Sequence, residues 1–371
     1  MVDLQGQYAQ IKTEVLRGIE EVIESAAFIQ GKAVKDFSQE LAQYTGAKFV
    51  IPCANGTDAL QIALMALNLQ PDDEIILPAF TYIATVEVAA LLKLKMVLVE
   101  VDENTFNIDP EALKKAITPK TKVIIPVHLY GQCANMEAIM EIAQANQLYV
   151  IEDTAQAIGS VYTFKNNIKK QAGTMGTIGT TSFFPSKNLG CYGDGGAIFT
   201  DDEHLAKKMQ MIANHGQEKK YYHDIIGINS RLDTLQAAIL RAKLPHLDTY
   251  SQKRQDVADY YDAQLASIDA LDIPSRNAQS THVFHQYTLK INDGRRDALK
   301  KFLEDAGIPT MIYYPLPIHF QKAFHFLGYQ KGAFPLSESL CEKVISLPIH
   351  TEMETSQMEY IVEKVISFFQ K

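Results

Sequence analysis

The stretch Leu148-Tyr149-Val150-Ile151-Glu152-Asp153 is an apolar run, rich in β-branched residues, that ends on two carboxylates. Three earlier runs, at 74–77, 96–101 and 122–127, share its apolar character, and a helical pattern follows each of them. Two more strand-like runs lie at 180–184 and 196–200. Buried parallel strands joined by helices produce this alternation. We therefore predict an α/β fold with a mostly parallel central sheet and helices on both faces.

The pattern changes beyond residue 245. Helical segments are predicted at 250–265, 295–306, 337–345 and 356–369, with a strand-like run at 283–291 between the first two. We predict a large α/β domain over residues 1–245, which includes an N-terminal amphipathic helix, and a smaller α+β C-terminal domain over residues 246–371.

Composition and charge exclude several classes of protein. The 371 residues are 47% hydrophobic and carry a formal net charge of −9, without the basic stripe of a nucleic-acid or anionic-membrane binder. The start lacks a signal-peptide pattern, and no run is long enough to span a membrane. The four cysteines lie far apart without metal-ligand spacing, as expected of reduced thiols. We expect a cytoplasmic protein that binds no metal, nucleic acid or membrane.

Three segments fall where ligands bind in open α/β sheets, beyond the carboxyl ends of strands. In the first, residues 53–60, Asn55 or Thr57 can cap a helix whose free N–H groups suit a phosphate, or the segment is only a well-capped helix. In the second, residues 150–156, Asp153 is either a helix cap or the partner of a cationic ring nitrogen. Gln156 follows one helical turn later and can face the same way.

The third segment, residues 181–190, contains Lys187 between Pro185 and a glycine-rich stretch. Burial lowers the pKa of a lysine toward the neutral amine that attacks an aldehyde. The alternative is a structural lysine. The glycine spacing fits neither a dinucleotide fingerprint nor a Walker A loop.

Taken in order, these segments resemble the fold-type-I pyridoxal phosphate (PLP) enzymes of the DegT/StrS group, the nucleotide-sugar aminotransferases. The resemblance runs nearly end to end, since residues 78–85, 128–132, 227–232 and 313–319 also fit. The run 182–187 together with residues 191–196 is most similar to the branch acting on UDP-2-acetamido-2-deoxy-3-oxo-glucuronate.

The resemblance implies a role for each cofactor residue. Lys187 would bind PLP covalently and move the proton, and Asp153 would pair with the ring nitrogen. Gln156 would hydrogen-bond near the phenolic oxygen, and Tyr82 would stack on the ring. The phosphate would be held by Gly56, Thr57, Ser182 and the neighbouring subunit's Asn229.

The resemblance also implies a homodimer with shared active sites, a UDP-sugar acceptor and L-glutamate as donor, acting in cell-surface polysaccharide or lipopolysaccharide biosynthesis. Arg231 would be a bidentate carboxylate clamp. The implied substrate-binding residues are Phe28, Ser186, Arg231, Tyr313 and Tyr314. The chain departs from the branch at Phe28, where a Gly-x-Tyr is usual near the helix end, and at Tyr313, where histidine is common. These departures bear on the sugar and leave the cofactor residues unaffected.

Three alternatives stay open. One is an aminotransferase for a dTDP- or UDP-linked 4-keto-6-deoxy sugar. The second is a PLP-dependent sugar dehydratase, which would have histidine in place of Lys187. The third is a non-catalytic PLP-binding regulator, which would be expected to lose Lys187 or Asp153. Because a lysine moves the proton in transamination, His128, His285 and His319 are interpreted as structural.

Overall fold

A computed structural model describes residues 1–370, and helices alternate with strands along most of this length. The helices are α1 (Leu4–Ser25), α2 (Lys32–Thr45), α3 (Gly56–Ala66), α4 (Ala84–Leu91), α5 (Pro110–Ala116), α6 (Met136–Asn146), α7 (Glu203–Ala213), α8 (Thr234–Lys243), α9 (Leu247–Leu265), α10 (Arg296–Asp305), α11 (Pro335–Lys343) and α12 (Thr355–Phe369). The strands are β1 (Phe49–Cys53), β2 (Glu74–Pro78), β3 (Lys95–Val99), β4 (Thr121–Ile124), β5 (Tyr149–Asp153), β6 (Val161–Thr163), β7 (Lys169–Gln171), β8 (Ile178–Ser182), β9 (Gly196–Thr200), β10 (Gln217–Lys219), β11 (Tyr222–His223), β12 (Leu271–Asp272), β13 (Tyr287–Ile291) and β14 (Val344–Leu347).

The central sheet of residues 1–370 has seven strands in the order β1-β9-β8-β5-β4-β2-β3. The pairs β2–β3, β2–β4, β4–β5 and β5–β8 are parallel. Strand β9 runs antiparallel to both of its neighbours, β8 and β1. The prediction of a mostly parallel sheet is confirmed.

Helices cover both faces of this sheet. Consecutive residues of a strand point to opposite sides, so two neighbouring residues of β2 show what packs on each face. Ile75 of β2 packs in a core with residues of α3, α4 and α7, whereas its neighbour Ile76 packs in a core with residues of α5 and α6. Every residue of β2 is buried. Burial on both faces explains why these strands are continuous apolar runs rather than alternating patterns.

The C-terminal part has its own apolar core. Strands β12, β13 and β14 form an antiparallel sheet, and the core around it is built only from residues between Val257 and Val365. An α+β arrangement was predicted for this part. The domain boundary at residue 245 stays a prediction, and residue 371 lies outside the described residues.

Two predicted elements of this part were too long. The strand predicted at 283–291 begins only at Tyr287, because Phe284 has a left-handed backbone (φ 45°) that a strand does not allow. The helix predicted at 337–345 ends at Lys343. Val344 and Ile345 begin β14 instead, where they pair with β13 and are fully buried.

All four cysteines are free and buried. Burial raises the pKa of Cys133 and of Cys191 to about 11, and that of Cys341 to about 12. Among residues 1–370, no cluster of three or more histidine, cysteine or acidic side chains has a geometry suited to a metal ion. None of the helices in that range has the length and apolar character needed to cross a membrane.

Candidate active site

A cavity of about 660 Å³ lies beyond the carboxyl ends of β1, β2, β5 and β8. Small-molecule sites typically measure roughly 300–1,000 Å³. It is lined by ten of the residues predicted from the sequence: Gly56, Thr57, Tyr82, Asp153, Gln156, Ser182, Ser186, Lys187, Tyr313 and Tyr314. The fold therefore brings the three sequence segments, residues 53–60, 150–156 and 181–190, together around one cavity.

Lys187 projects into this cavity from a tight loop after β8. Its N–H donates to the carbonyl of Phe184 (2.8 Å), and Gly190 packs so closely that a Cβ there would meet the carbonyl oxygen of Pro185. Burial lowers the pKa of the Lys187 amine to about 8, and the charge of Asp153 opposes this shift. The amine makes no hydrogen bond within residues 1–370. It is therefore about half neutral near pH 8 and free to react.

Two consecutive carboxylates at the end of β5 point in opposite directions. Glu152 is fully buried, accepts from the backbone N–H groups of residues 173, 175 and 176, and pairs with His128 at 2.9 Å. Asp153 faces the cavity, where it accepts from Thr85 Oγ1 (2.8 Å) and from the N–H of Ala155 (3.1 Å). The alternation of β5 thus gives one carboxylate a structural position and the other a ligand-facing one.

Gln156 is fixed at the cavity wall by both ends of its amide. Its Oε1 accepts from the N–H of Tyr130 (2.7 Å), and its Nε2 donates to the hydroxyl of Tyr314 (3.1 Å). Residues 154–160 form turns rather than a helix, so the helical-spacing argument for this residue was wrong although its side chain reaches the cavity. Burial raises the pKa of Tyr314.

The N-terminus of α3 forms the opposite end of the cavity. Asn55 caps the helix by accepting from the N–H of Asp58 (2.8 Å), as predicted. The N–H groups of Gly56 and Thr57 have no partner among residues 1–370. A Cβ on Gly56 would lie 2.7 Å from the Cβ of Ser182, so glycine lets two backbones approach. These N–H groups and the Ser182 hydroxyl make a cradle for an anion.

Aromatic rings form one side of the cavity. Tyr82 is 55% exposed, and its ring lies 6.0 Å from that of Tyr314, centroid to centroid. Tyr313 borders the same space, and its carbonyl accepts from the hydroxyl of Tyr130. An exposed ring at the mouth of a cavity can stack on a planar ligand.

The residues present fit PLP. The cavity contains an amine with a lowered pKa, a carboxylate for the ring nitrogen, an exposed aromatic face and a helix N-terminus with unpaired N–H groups for the phosphate.

The other three predicted residues, Phe28, Asn229 and Arg231, do not line this cavity. Arg231 lines a separate cleft of about 980 Å³ together with Asn214, which pairs with Asn229. Phe28 is 46% exposed, and its carbonyl accepts from the N–H of Thr234. The three therefore lie near one another, outside the cavity of their own chain.

The charged side chains that line the cavity are mostly acidic. Among the described residues, the lining includes the carboxylates of Asp58, Asp153 and Asp194, and Lys187 is its only lysine or arginine. Within residues 1–370, the lining itself therefore offers a single cationic side chain, that of Lys187, to a substrate with several negative charges.

Three residues were not predicted from the sequence: Thr85 lies behind Asp153, and Asp194 and His285 line the cavity. Thr85 orients Asp153 and is itself bonded to Thr81, but no local sequence signal marks this contact between distant segments. Asp194 belongs to the glycine-rich stretch noted above. His285 was interpreted as structural, yet its ring lines the cavity.

Comparison with known proteins gives a consistent picture. The sequence pattern of the DegT/DnrJ/EryC1/StrS aminotransferase family matches residues 9–366. A pleiotropic regulatory protein of Geobacillus stearothermophilus is 47% identical over 100% of this chain and 98% of its own length. The UDP-2-acetamido-2-deoxy-3-oxo-D-glucuronate aminotransferase of Pseudomonas aeruginosa is 44% identical over 97% of both chains. The UDP-N-acetyl-3-dehydro-alpha-D-glucosamine 3-aminotransferase of Acidithiobacillus ferrooxidans is also 44% identical, over 97% of this chain and 95% of its own.

Solved structures share the fold over the whole chain. DesV of Streptomyces venezuelae superimposes with a TM-score of 0.96 at 36% identity, covering 100% of this chain and 98% of that one. NtdA of Bacillus subtilis, with bound cofactor PMP, superimposes with a TM-score of 0.89 at 33% identity, covering 98% and 82%.

Proposed function

The chain belongs to the DegT/DnrJ/EryC1/StrS aminotransferase family, and we propose that it transfers the amino group of L-glutamate to C3 of UDP-2-acetamido-2-deoxy-3-oxo-glucuronate. It is a PLP-dependent sugar aminotransferase of fold type I. One observation carries the proposal above all: Lys187, Asp153 and the Gly56–Thr57 turn line a single cavity.

The residues of this cavity would divide the work. PLP, when bound, supplies an electron sink for the carbon that loses or gains the amino group. Lys187 would hold the cofactor through its amine and, once released, carry the proton at the substrate carbon, because an amine with a pKa of about 8 both accepts and donates near neutral pH. Asp153 would keep the ring nitrogen protonated.

The remaining cavity residues would fix the cofactor and the sugar. The N–H groups of α3 and the Ser182 hydroxyl would bind the phosphate. Gln156 would lie beside the phenolic oxygen and Tyr82 on the ring face. The sugar nucleotide would contact Ser186, Tyr313 and Tyr314, with Phe28 near the acceptor.

We propose a homodimer in which Asn229 and Arg231 of the partner subunit complete each cavity. Two observations support this: both residues lie together outside their own cavity, and that cavity has Lys187 as its only lysine or arginine among the described residues. The exposed side chains of Tyr221 and Tyr222 in the β10–β11 hairpin, and of Ile226 just after it, provide apolar surface for such an interface.

The acceptor is proposed to be a uronic acid because Arg231 can form a planar, bidentate contact with its C6 carboxylate. Transamination is a ping-pong reaction, so the same guanidinium could serve glutamate and the sugar in turn. The product would enter cell-surface polysaccharide biosynthesis, lipopolysaccharide included, from the cytoplasm.

The experiment has two stages. Purified protein reconstituted with PLP should be yellow and should bleach on addition of L-glutamate alone. Ranking kcat/KM should then place the 3-oxo uronic acid above its C6-hydroxymethyl analogue and above a dTDP-4-keto-6-deoxy sugar. Preference for the 4-keto sugar would refute the proposed acceptor and leave the aminotransferase class intact.

A regulatory role is a second candidate, favoured by the 47% identity to a pleiotropic regulatory protein. Lys187 and Asp153 are both retained here, which favours catalysis. Bleaching by glutamate separates the two, because a non-catalytic regulator would keep its colour.

Arg231→Lys is expected to be nearly as harmful as Arg231→Ala, because an ammonium cannot form the planar fork of a guanidinium. A charge-assisted bidentate contact contributes about 1.5–3 kcal/mol, so kcat/KM for the uronic acid should fall by one to two orders of magnitude. The C6-hydroxymethyl analogue is the control, since its kcat/KM should fall less. An equal loss on both sugars would contradict the carboxylate contact.

A further inference from the structure

His285 differs from the other buried histidines near the site. His128 is paired with Glu152 at 2.9 Å, and His319 with Glu338 at 3.0 Å, so both are bound to carboxylates within the fold. His285 is only 6% exposed, yet its ring lines the same cavity as Lys187. No carboxylate is bonded to it.

The hydrogen bonds of Asn188 determine which nitrogen of His285 carries the proton. Asn188 Nδ2 donates to the carbonyl of Val283 (2.9 Å), so its Oδ1 faces His285 Nδ1 at 3.3 Å. An amide oxygen only accepts, and Nδ1 must therefore be protonated. Nε2 then has a free lone pair, and it has no hydrogen-bond partner among residues 1–370.

The backbone that carries His285 is held from two sides. Arg254 of α9 is buried, and its Nη1 donates to the carbonyls of Phe284 (3.1 Å) and Ile349 (3.1 Å), with that of His285 at 3.5 Å. On the other side, a Cβ on Gly131 would lie 2.9 Å from the backbone nitrogen of His285. A guanidinium and a glycine are thus both used to fix a segment that is not part of the sheet.

We propose that His285 is a positioning residue for Lys187. Both side chains line one cavity, neither the amine nor Nε2 is paired with another group among the described residues, and Asn188 holds the tautomer whose free Nε2 would accept a hydrogen bond from the amine when it turns toward the ring. The inference rests on the proposed function, in which Lys187 is the reacting amine. Asn188 directly follows Lys187, so the loop that carries the Lys187 amine also selects the tautomer of His285.

The tautomer matters because a neutral amine has two hydrogens and one lone pair. An acceptor at Nε2 orients one N–H and leaves the lone pair free to attack. A donor at Nε2 would occupy that lone pair and block the reaction. Burial lowers the pKa of His285 well below its usual range, and the charges of Lys187 and Arg254 add to this, so the ring stays neutral.

Histidine-selective ¹⁵N NMR of the holoenzyme tests the tautomer directly. The His285 signals are those lost in His285→Gln. We expect a protonated Nδ1 and an unprotonated Nε2 at pH 8. An Nε2–H tautomer or an imidazolium would overturn the proposal, whichever sugar the enzyme uses.

Two substitutions test the hydrogen bond. His285→Gln retains an acceptor oxygen near the Nε2 position, whereas His285→Phe retains the ring volume without an acceptor. We expect the limiting rate constant for bleaching by glutamate to fall about tenfold in His285→Phe and less than about threefold in His285→Gln, with the half-saturating glutamate concentration little changed in both. A purely space-filling role would give the opposite order, with His285→Phe the faster variant, and that order would overturn the proposal.

A second readout does not depend on turnover. In apoprotein, acetylation of Lys187 by limiting acetic anhydride, followed by peptide mass spectrometry, reports the reactivity of the amine. We expect reduced reactivity in His285→Phe and in Asn188→Leu, which frees the tautomer, and wild-type reactivity in the control His319→Gln. Unchanged reactivity in the first two overturns the proposal. If the wild type does not bleach with glutamate, the proposed function fails instead.

Discussion

At the scale of single residues, the site depends on one amine being kept between two charge states. Burial favours the neutral form of Lys187, and the carboxylate of Asp153 favours the charged form. Asp153 accepts hydrogen bonds from Thr85 and from the N–H of Ala155, which favour its charged form. Burial prevails, and the pKa is about 8 rather than 10.5.

Borohydride reduction of the PLP-loaded protein should fix the cofactor at Lys187, which peptide mapping can identify. Lys187→Ala should abolish turnover and still bind PLP weakly through the phosphate cradle and Asp153. A label on any other lysine would refute the assignment. Lys243, also buried with its pKa lowered to about 8, is the informative internal control because it lies outside the cavity.

The lowered pKa of Lys187 also predicts how stability depends on pH. Between pH 8 and 10.5 the unfolded chain binds more protons at this lysine than the folded chain does, so its unfavourable contribution disappears as pH rises through that window. At pH 7 the apoprotein of Lys187→Met should be more stable than the wild type by about 1–3 kcal/mol. The difference should shrink toward pH 10.5.

Urea denaturation of both apoproteins from pH 7 to 10.5 measures this difference. The control is Lys122→Met, a lysine exposed on β4, for which the difference from wild type should not change with pH. A Lys187→Met difference that is equally flat would contradict the lowered pKa.

At the scale of elements, the phosphate cradle depends on the contact between the start of α3 and the end of β8. Gly56 allows this contact because any side chain would meet Ser182. The helix start and the serine belong to segments more than a hundred residues apart, and the sheet order places β9 between β1 and β8. The cradle is therefore a product of sheet topology.

Gly56→Ala should weaken PLP binding about tenfold or more, because the added Cβ would lie 2.7 Å from that of Ser182 and separate the two sides of the cradle. Equilibrium dialysis of PLP compares Lys187→Ala with the double variant Gly56→Ala/Lys187→Ala. Because neither protein can bind PLP covalently, the difference in affinity reports the phosphate contact. Gly18→Ala is the control, since its Cβ would lie at 3.4 Å from Ala238, an ordinary contact in a helix. Equal affinity for PLP with and without the Gly56→Ala substitution would contradict a phosphate cradle there.

Local patterns predicted the elements of the sheet well and the C-terminal segments less well. The runs of β2 and β5 are recognisable because both faces are buried. Residues 283–286 begin with the apolar pair Val283 and Phe284, but the guanidinium of the distant Arg254 and the carbonyls of residues 130 and 131 hold this segment outside the strand. Such contacts between remote segments leave no local periodicity in the sequence.

The same distinction applies within the site. Asp153 and Lys187 could be predicted because Asp153 ends strand β5 and Lys187 lies in the loop that follows β8. Gln156 was predicted for a reason that the turns at 154–160 do not support. Thr85 and His285 act through hydrogen bonds to other side chains, and no spacing rule indicates them.

At the scale of the whole molecule, residues proposed for one reaction lie on two surfaces. The cavity holds the amine and the phosphate cradle, and the cleft beside it holds Arg231, with Asn229 nearby. A two-fold axis that brings one protomer's cleft to its partner's cavity would unite them.

Mixing inactive Lys187→Ala with weakly active Arg231→Ala protein should raise activity well above that of either pool, because hybrid dimers would contain one site with both native residues. At equal amounts, random exchange puts half of the dimers in the hybrid form, so roughly a quarter of the wild-type activity is expected. Activity should appear at the rate of subunit exchange. Demonstrated exchange without any return of activity would refute the shared site.

The burial of all four thiols has a practical consequence for measuring subunit exchange. Maleimide dyes react with thiolates, and burial raises the pKa of each native cysteine, so the native protein should take up little dye. A cysteine introduced at an exposed position such as Lys122 would then be the principal reactive one. Donor- and acceptor-labelled pools of the two variants would report exchange by energy transfer in the same cuvette in which turnover returns.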